Sequence, residues 1–166
     1  MSESIRFESR RVGEIEVPET DVVHFDPLPG FPDRSRYVVM GHAADSELAW
    51  LVSLDDEELA FVVASPWSFF PSYDPPIERE HLAALAIERR DDVEILCLVT
   101  LSGRQIYLNL AAPLLVNVAT RRALQVMSDD PRYTTRAAIP SLQAALEAAA
   151  GEESASIEAP PGAPPR

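Results

Sequence analysis

The residues that bring most charge to single points of the chain are carboxylates: Asp55-Asp56-Glu57-Glu58, Asp91-Asp92 and Asp129-Asp130. Paired carboxylates do acid–base chemistry when they face each other across a cleft with their pKa values pushed apart. Adjacent carboxylates in turn-forming sequence are instead solvated turn formers. His24, His42 and His81 fall in three different segments, without the spacing of a helical metal pair. Each reads as a surface or core-edge histidine. Cys97 is the single cysteine and sits inside an apolar run, so it reads as a buried, inert thiol. The sequence has no G-x-S-x-G, no P-loop and no G-x-G-x-x-G. These residues predict no catalytic group, no metal ligand and no cofactor, so the chain is not expected to be an enzyme.

One segment resists a purely structural reading. Pro66-Trp67-Ser68-Phe69-Phe70-Pro71-Ser72-Tyr73-Asp74 places four aromatic residues in a proline-bracketed stretch. It reads either as a plug folded over an open barrel end or as an exposed binding patch, because Trp and Tyr are favoured interface anchors. The two combine if Trp67 and Phe69 turn inward and Phe70 or Tyr73 outward. An alternative function follows from the plug: a β-barrel that binds a small ligand, or an enzyme, with a pocket under the aromatic loop.

The elements around these residues are mainly β. Alternation of apolar and polar residues predicts strands over 5–10, 13–17 and 22–25. β-rich runs follow over 36–40, 49–53 and 59–64, the last two joined by the acidic turn. Residues 93–101 are almost continuously apolar and β-branched, which marks a central strand. Ser102-Gly103 then signals a hairpin into a return strand over 105–110. Strands over 114–118 and 121–128 complete the set. Ile77, Leu82, Leu85 and Ala86 recur at helical spacing and predict a short amphipathic helix over 77–88. About ten short strands without βαβ alternation imply a sandwich or barrel. Leu51, Phe61, Val63, Ile95 and Leu98 are the expected core.

The chain has 166 residues, enough to bury about 69% of its unfolded surface in one domain. Residues 1–140 are the expected β-barrel-like domain. Residues 141–150 are Ala/Leu-rich and read as a possible short helix; 151–166 are rich in Ala, Pro and Glu and read as a disordered tail. The net charge is −13, and every basic residue is Arg. The tail holds only three Glu and one Arg, so the acidity belongs to the folded body. Such a body disfavours direct nucleic-acid binding, which needs clustered cations. It steers basic proteins instead. No apolar run approaches the ~20 residues of a membrane span. The polar, acidic N-terminal residues lack a signal peptide's apolar stretch. A cytoplasmic monomer is the expectation.

Ordered motifs carry a family resemblance. They are Leu28-Pro29-Gly30-Phe31; the run from Leu51 to Val63 through Ser53, Asp55, Glu58 and Leu59-Ala60-Phe61; Phe69-Phe70-Pro71-Ser72-Tyr73; Asn109-Leu110-Ala111-Ala112-Pro113 with Asn117; and Gln125-Val126 with Asp130 and Tyr133. The series spans roughly residues 5–136 and resembles the flagellar assembly factor FliW family. The resemblance implies a compact antiparallel β-barrel-like fold and no catalytic activity. It implies binding to flagellin monomer and to the small RNA-binding translational repressor CsrA. Flagellin would sequester the factor until its export frees the factor to relieve CsrA's repression of flagellin translation. On that reading Phe70 and Tyr73 are expected as aromatic anchors. Asp55, Asp56, Glu57 and Asp74 are expected as acidic contacts to a basic partner.

Overall fold

The computed structural model describes residues 3–26, 28, 30–41, 47–75 and 77–139. The expected helix over 141–150, the tail over 151–166 and His42 lie outside the described residues.

The chain opens with a hairpin. Strands β1 (Ser4–Ser9) and β2 (Gly13–Pro18) pair antiparallel from Ser4↔Pro18 to Ser9↔Gly13. The Ser9 hydroxyl accepts the Arg11 and Val12 N–H groups in the turn, and Gly13 takes a φ of 89° that L side chains rarely adopt. The hairpin lays Ile15 and Val17 against Val22, Val38, Val52 and Leu54.

A ring of seven strands forms the body. It runs β3 (Val23–Phe25), β4 (Arg36–Gly41), β5 (Leu48–Ser53), β6 (Ala60–Ala64), β7 (Val93–Ser102), β9 (Leu114–Asn117) and β10 (Arg122–Gln125), and β10 returns to β3. β8 (Gln105–Leu108) continues the line of β9 along β7, and β11 (Ala137–Ala138) pairs on the outside of β8. Ring closure adds one parallel pairing to the expected antiparallel barrel. β10 and β3 pair parallel, with Arg122 opposite His24 and Ala123 opposite Phe25. Neighbouring strands joined by short turns must run antiparallel, but β3 and β10 are far apart in sequence and free of that constraint.

The interior is filled by side chains. Phe25, Tyr37, Leu51, Phe61, Val63 and Leu114 are among its buried members, with Leu28 and Phe31 packed in from the loop before β4. Tyr37 meets Phe25 edge-on at 5.4 Å. Of the expected core, Leu51, Phe61, Val63 and Ile95 are buried, and Leu98 is partly buried against the cluster of the first three.

Three elements are shorter than their patterns suggest. The helix α1 is only Arg79–Ala84. It starts where the Glu78 N–H donates to His81 Nδ1 at 2.9 Å, and it ends where Leu85 turns into a buried cluster and Ala86 takes a φ of 53°. β8 stops at Leu108 because the Asn109 side chain accepts the N–H groups of Ala111 and Ala112, forming a turn. β10 stops at Gln125 while the chain still runs beside 111–113, where Pro113 has no N–H to extend the ladder. β11 had no pattern long enough to reveal it.

Candidate functional site: an acidic turn, an aromatic loop and an outer furrow

The acidic turn joins β5 to β6, and its carboxylates are engaged within the molecule. Asp55 accepts the backbone N–H groups of Ser35 and Arg36, and Arg36 Nε, all at 2.9 Å. Asp56 accepts Arg34 Nη2 at 2.7 Å and the Glu58 N–H at 2.9 Å. The buried Ser53 hydroxyl accepts the N–H groups of both aspartates. Glu57 reaches Arg10 at 3.0 Å and ties the turn to the opening hairpin. Both aspartates hold their protons less tightly than an ordinary carboxylate. For Asp55, burial works against ionisation but is outweighed by the N–H groups of Arg36 and Ser35 and by the Arg36 guanidinium. For Asp56 the Glu58 N–H and the Arg34 guanidinium act together.

These contacts change the expectation for the turn. The Asp55 and Asp56 side chains are 21% and 25% exposed and ion-paired, so they clamp the entry to β4. The Glu57 side chain, 51% exposed, is the outward-facing acid of the three.

Two residues of the aromatic loop, Trp67 and Tyr73, are oriented opposite to the sequence expectation. Tyr73 is buried and donates its hydroxyl to the Leu110 carbonyl at 2.7 Å. Its ring meets Tyr133 edge-on at 4.7 Å. Tyr133 in turn accepts the Asp74 N–H at 2.9 Å. Tyr73 is thus a core residue and not an outward anchor. Trp67 is the outward one, 39% exposed, with Nε1 donating to the Tyr73 carbonyl at 2.9 Å. A single 3₁₀ turn over Pro66–Ser68 causes the reversal, because the N–H groups of Phe69 and Phe70 fold back to the Pro66 carbonyl. Phe69 and Phe70 are both half-buried against the cluster that holds Tyr73. Cys97 lies in the same cluster, and burial pushes its thiol up to about 12. Asp74 is exposed.

Outside the barrel, a furrow of about 540 Å³ separates this loop from the segment around α1. Val93 and Ile95 of β7 form its floor. Trp67 and Tyr73 line it from the aromatic loop, and Ile77, Leu82 and Ile87 from the segment around α1. Asp74, Glu88, Arg89 and Arg90 complete the lining. The expected pocket under the aromatic loop is therefore an outer groove, not a lumen. Sequence reasoning missed Trp67 as its exposed wall and missed Arg89-Arg90 altogether. The signal available was an arginine pair in a chain with a charge of −13. Among the described residues, no group of three or more His, Cys, Asp or Glu side chains is arranged to hold a metal ion. Among them, too, no helix is long and apolar enough to cross a membrane.

A filled β-barrel with an open groove on its outer wall is the class of protein these features define. The FliW protein family model matches residues 6–139, and the chain belongs to that family. A flagellar assembly factor FliW from Bacillus velezensis is 37% identical over 127 residues, covering 75% of this chain and 89% of the relative. One from Syntrophotalea carbinolica is 37% identical over 133 residues, covering 79% and 95%. A crystal structure of the flagellar assembly factor FliW superposes with a TM-score of 0.75 at 29% identity, covering 81% of this chain and 96% of that one.

Proposed function

We propose that this protein is a cytoplasmic flagellar assembly factor that binds flagellin monomer and, by protein–protein binding, antagonises the repressor CsrA. The observation that carries the reading is the family match over residues 6–139, together with relatives named flagellar assembly factors. The physical chemistry is compatible with it. An RNA-binding repressor must present cations to phosphates. A chain with a net charge of −13, most of it outside the tail, attracts such a surface and repels RNA from the complex without occupying the RNA site. Glu57 is an exposed carboxylate suited to that contact; Asp74 is exposed too but lines the furrow beside Arg89 and Arg90, and half-buried Phe70 lies in the loop that carries it. Asp55 and Asp56 contribute charge to the field while remaining clamped to Arg36 and Arg34.

The test is titration calorimetry of the full chain with flagellin monomer and with CsrA from the same organism. Saturable one-to-one isotherms with each are expected. Absence of heat with both partners at two temperatures, with the fold verified by circular dichroism, removes the reading.

A further inference from the structure

The furrow differs in character from the rest of the surface. Its apolar wall residues Ile77, Ile87 and Val93 are only partly buried, and they pack against a cluster built on Leu85, Ile95 and Leu115. Trp67 leaves part of its ring exposed at the edge. Exposed aromatics beside apolar recesses are the usual anchors of protein interfaces. The charge balance also departs from that of the body. Arg89 and Arg90 offset Asp74 and Glu88 along the lining, in a molecule whose net charge is −13. The Arg90 side chain has no hydrogen bond or ion pair among the described residues. Arg89 comes no closer than 3.9 Å to Asp91, with both side chains largely in water. Two guanidiniums are thus available to carboxylates arriving from outside, and a guanidinium grips a carboxylate with two parallel hydrogen bonds.

We propose that this furrow is the flagellin-facing surface, and that it takes an apolar segment of flagellin carrying carboxylates beside its apolar side chains. The inference rests on the flagellar reading above. It assigns the two partners to surfaces of different chemistry: the acidic body, and an apolar furrow whose two arginines balance its two carboxylates. A cation-rich RNA-binding protein is drawn to the acidic body and repelled by Arg89-Arg90. An acidic, apolar segment is repelled by the body and held at the furrow. The apolar walls supply burial, and the arginine pair fixes which way the segment lies.

The experiment compares the unmodified full chain with the double variant Arg89→Glu/Arg90→Glu, using flagellin monomer and CsrA as probes. Arg6→Glu/Arg104→Glu makes the same charge change at exposed sites away from the furrow. A third variant, Trp67→Ala, probes the apolar wall, and each variant's fold is checked by circular dichroism. The furrow reversal is expected to weaken flagellin binding by about tenfold or more, while the charge-matched control stays within about threefold. CsrA binding is expected to be retained by the furrow variant. Equal weakening by control and furrow variants, or none by either, overturns the furrow assignment and leaves the flagellar reading standing. An unmodified protein that binds neither probe removes that reading, and the furrow assignment falls with it.

Discussion

The phenol of Tyr73 donates a 2.7 Å hydrogen bond to the carbonyl of Leu110, joining the aromatic loop to the turn after β8 from inside the molecule. Burial raises the Tyr73 pKa, so the group stays a donor across the working pH range. Tyr73→Phe keeps the ring but leaves that carbonyl unpaired. It is expected to cost about 1–3 kcal/mol, read as a lower urea midpoint. An unchanged midpoint would show that the bond contributes nothing net.

Asp55 and Asp56 set an acid limit on stability. Both have folded pKa values below the ordinary 3.8. A depressed carboxylate stabilises the fold fully above its unfolded pKa and loses that contribution as pH falls through the folded value. Urea midpoints should therefore fall below about pH 4. Asp55→Asn/Asp56→Asn should be less stable at neutral pH and show a shallower acid decline. A decline as steep as that of the unmodified protein would place the acid sensitivity elsewhere.

Glu57 separates steering from stability. Its exposed pair with Arg10 contributes at most about 1 kcal/mol. Glu57→Arg should leave the melting transition nearly in place. It should slow CsrA association at low salt, with the difference shrinking as salt is added, as measured by stopped-flow fluorescence. Reversing Asp55 and Asp56 together with it would confuse this measurement, since both also hold β4.

Asn117 is a buried polar staple between α1 and the barrel. Its Nδ2 donates to the Leu85 carbonyl at 2.8 Å, and its Oδ1 accepts the N–H groups of Ala119 and Thr120. Asn117→Ala strands all three and should cost about 2–4 kcal/mol in chemical denaturation. A cost below that of a surface substitution would mean water replaces the side chain.

Ala86 sits at a φ of 53° and is exposed. Removing the Cβ relieves the left-handed strain but increases the freedom of the unfolded chain. Ala86→Gly should raise stability by about 0.5–1 kcal/mol, visible as a higher melting temperature. A lower one would show that unfolded-chain entropy dominates at this position.

The strands were legible in the sequence because a half-buried ribbon writes its two faces as alternating residues, as in Gly13–Pro18, or as an apolar run where both faces are covered, as in Val93–Ser102. The partners were less legible. Nothing local in Val23–Phe25 or Arg122–Gln125 encodes that they meet side by side in the same direction. The site was hardest to read, for a related reason. Many of the residues that carry the family resemblance make the fold: Asn109 and Asn117 cap turns, Tyr73 holds a loop, Asp55 clamps a strand. Side-chain direction in the aromatic loop depends on one 3₁₀ turn, which residue types alone do not specify. The furrow gathers Trp67, Ile87 and Val93 from three separate segments.

The parallel seam between β3 and β10 has a consequence for how the protein is made. The bond from Arg121 to the Asp21 carbonyl beside that seam spans 100 positions of chain. During synthesis the early strands can pair with their neighbours as they leave the ribosome, yet the ring stays open until β10 has emerged. Until then β3 and β9 each expose an unpaired edge. Completion of the barrel thus waits for β10, and until then the nascent chain's exposure to chaperones and proteases is set by elongation time more than by any local folding step.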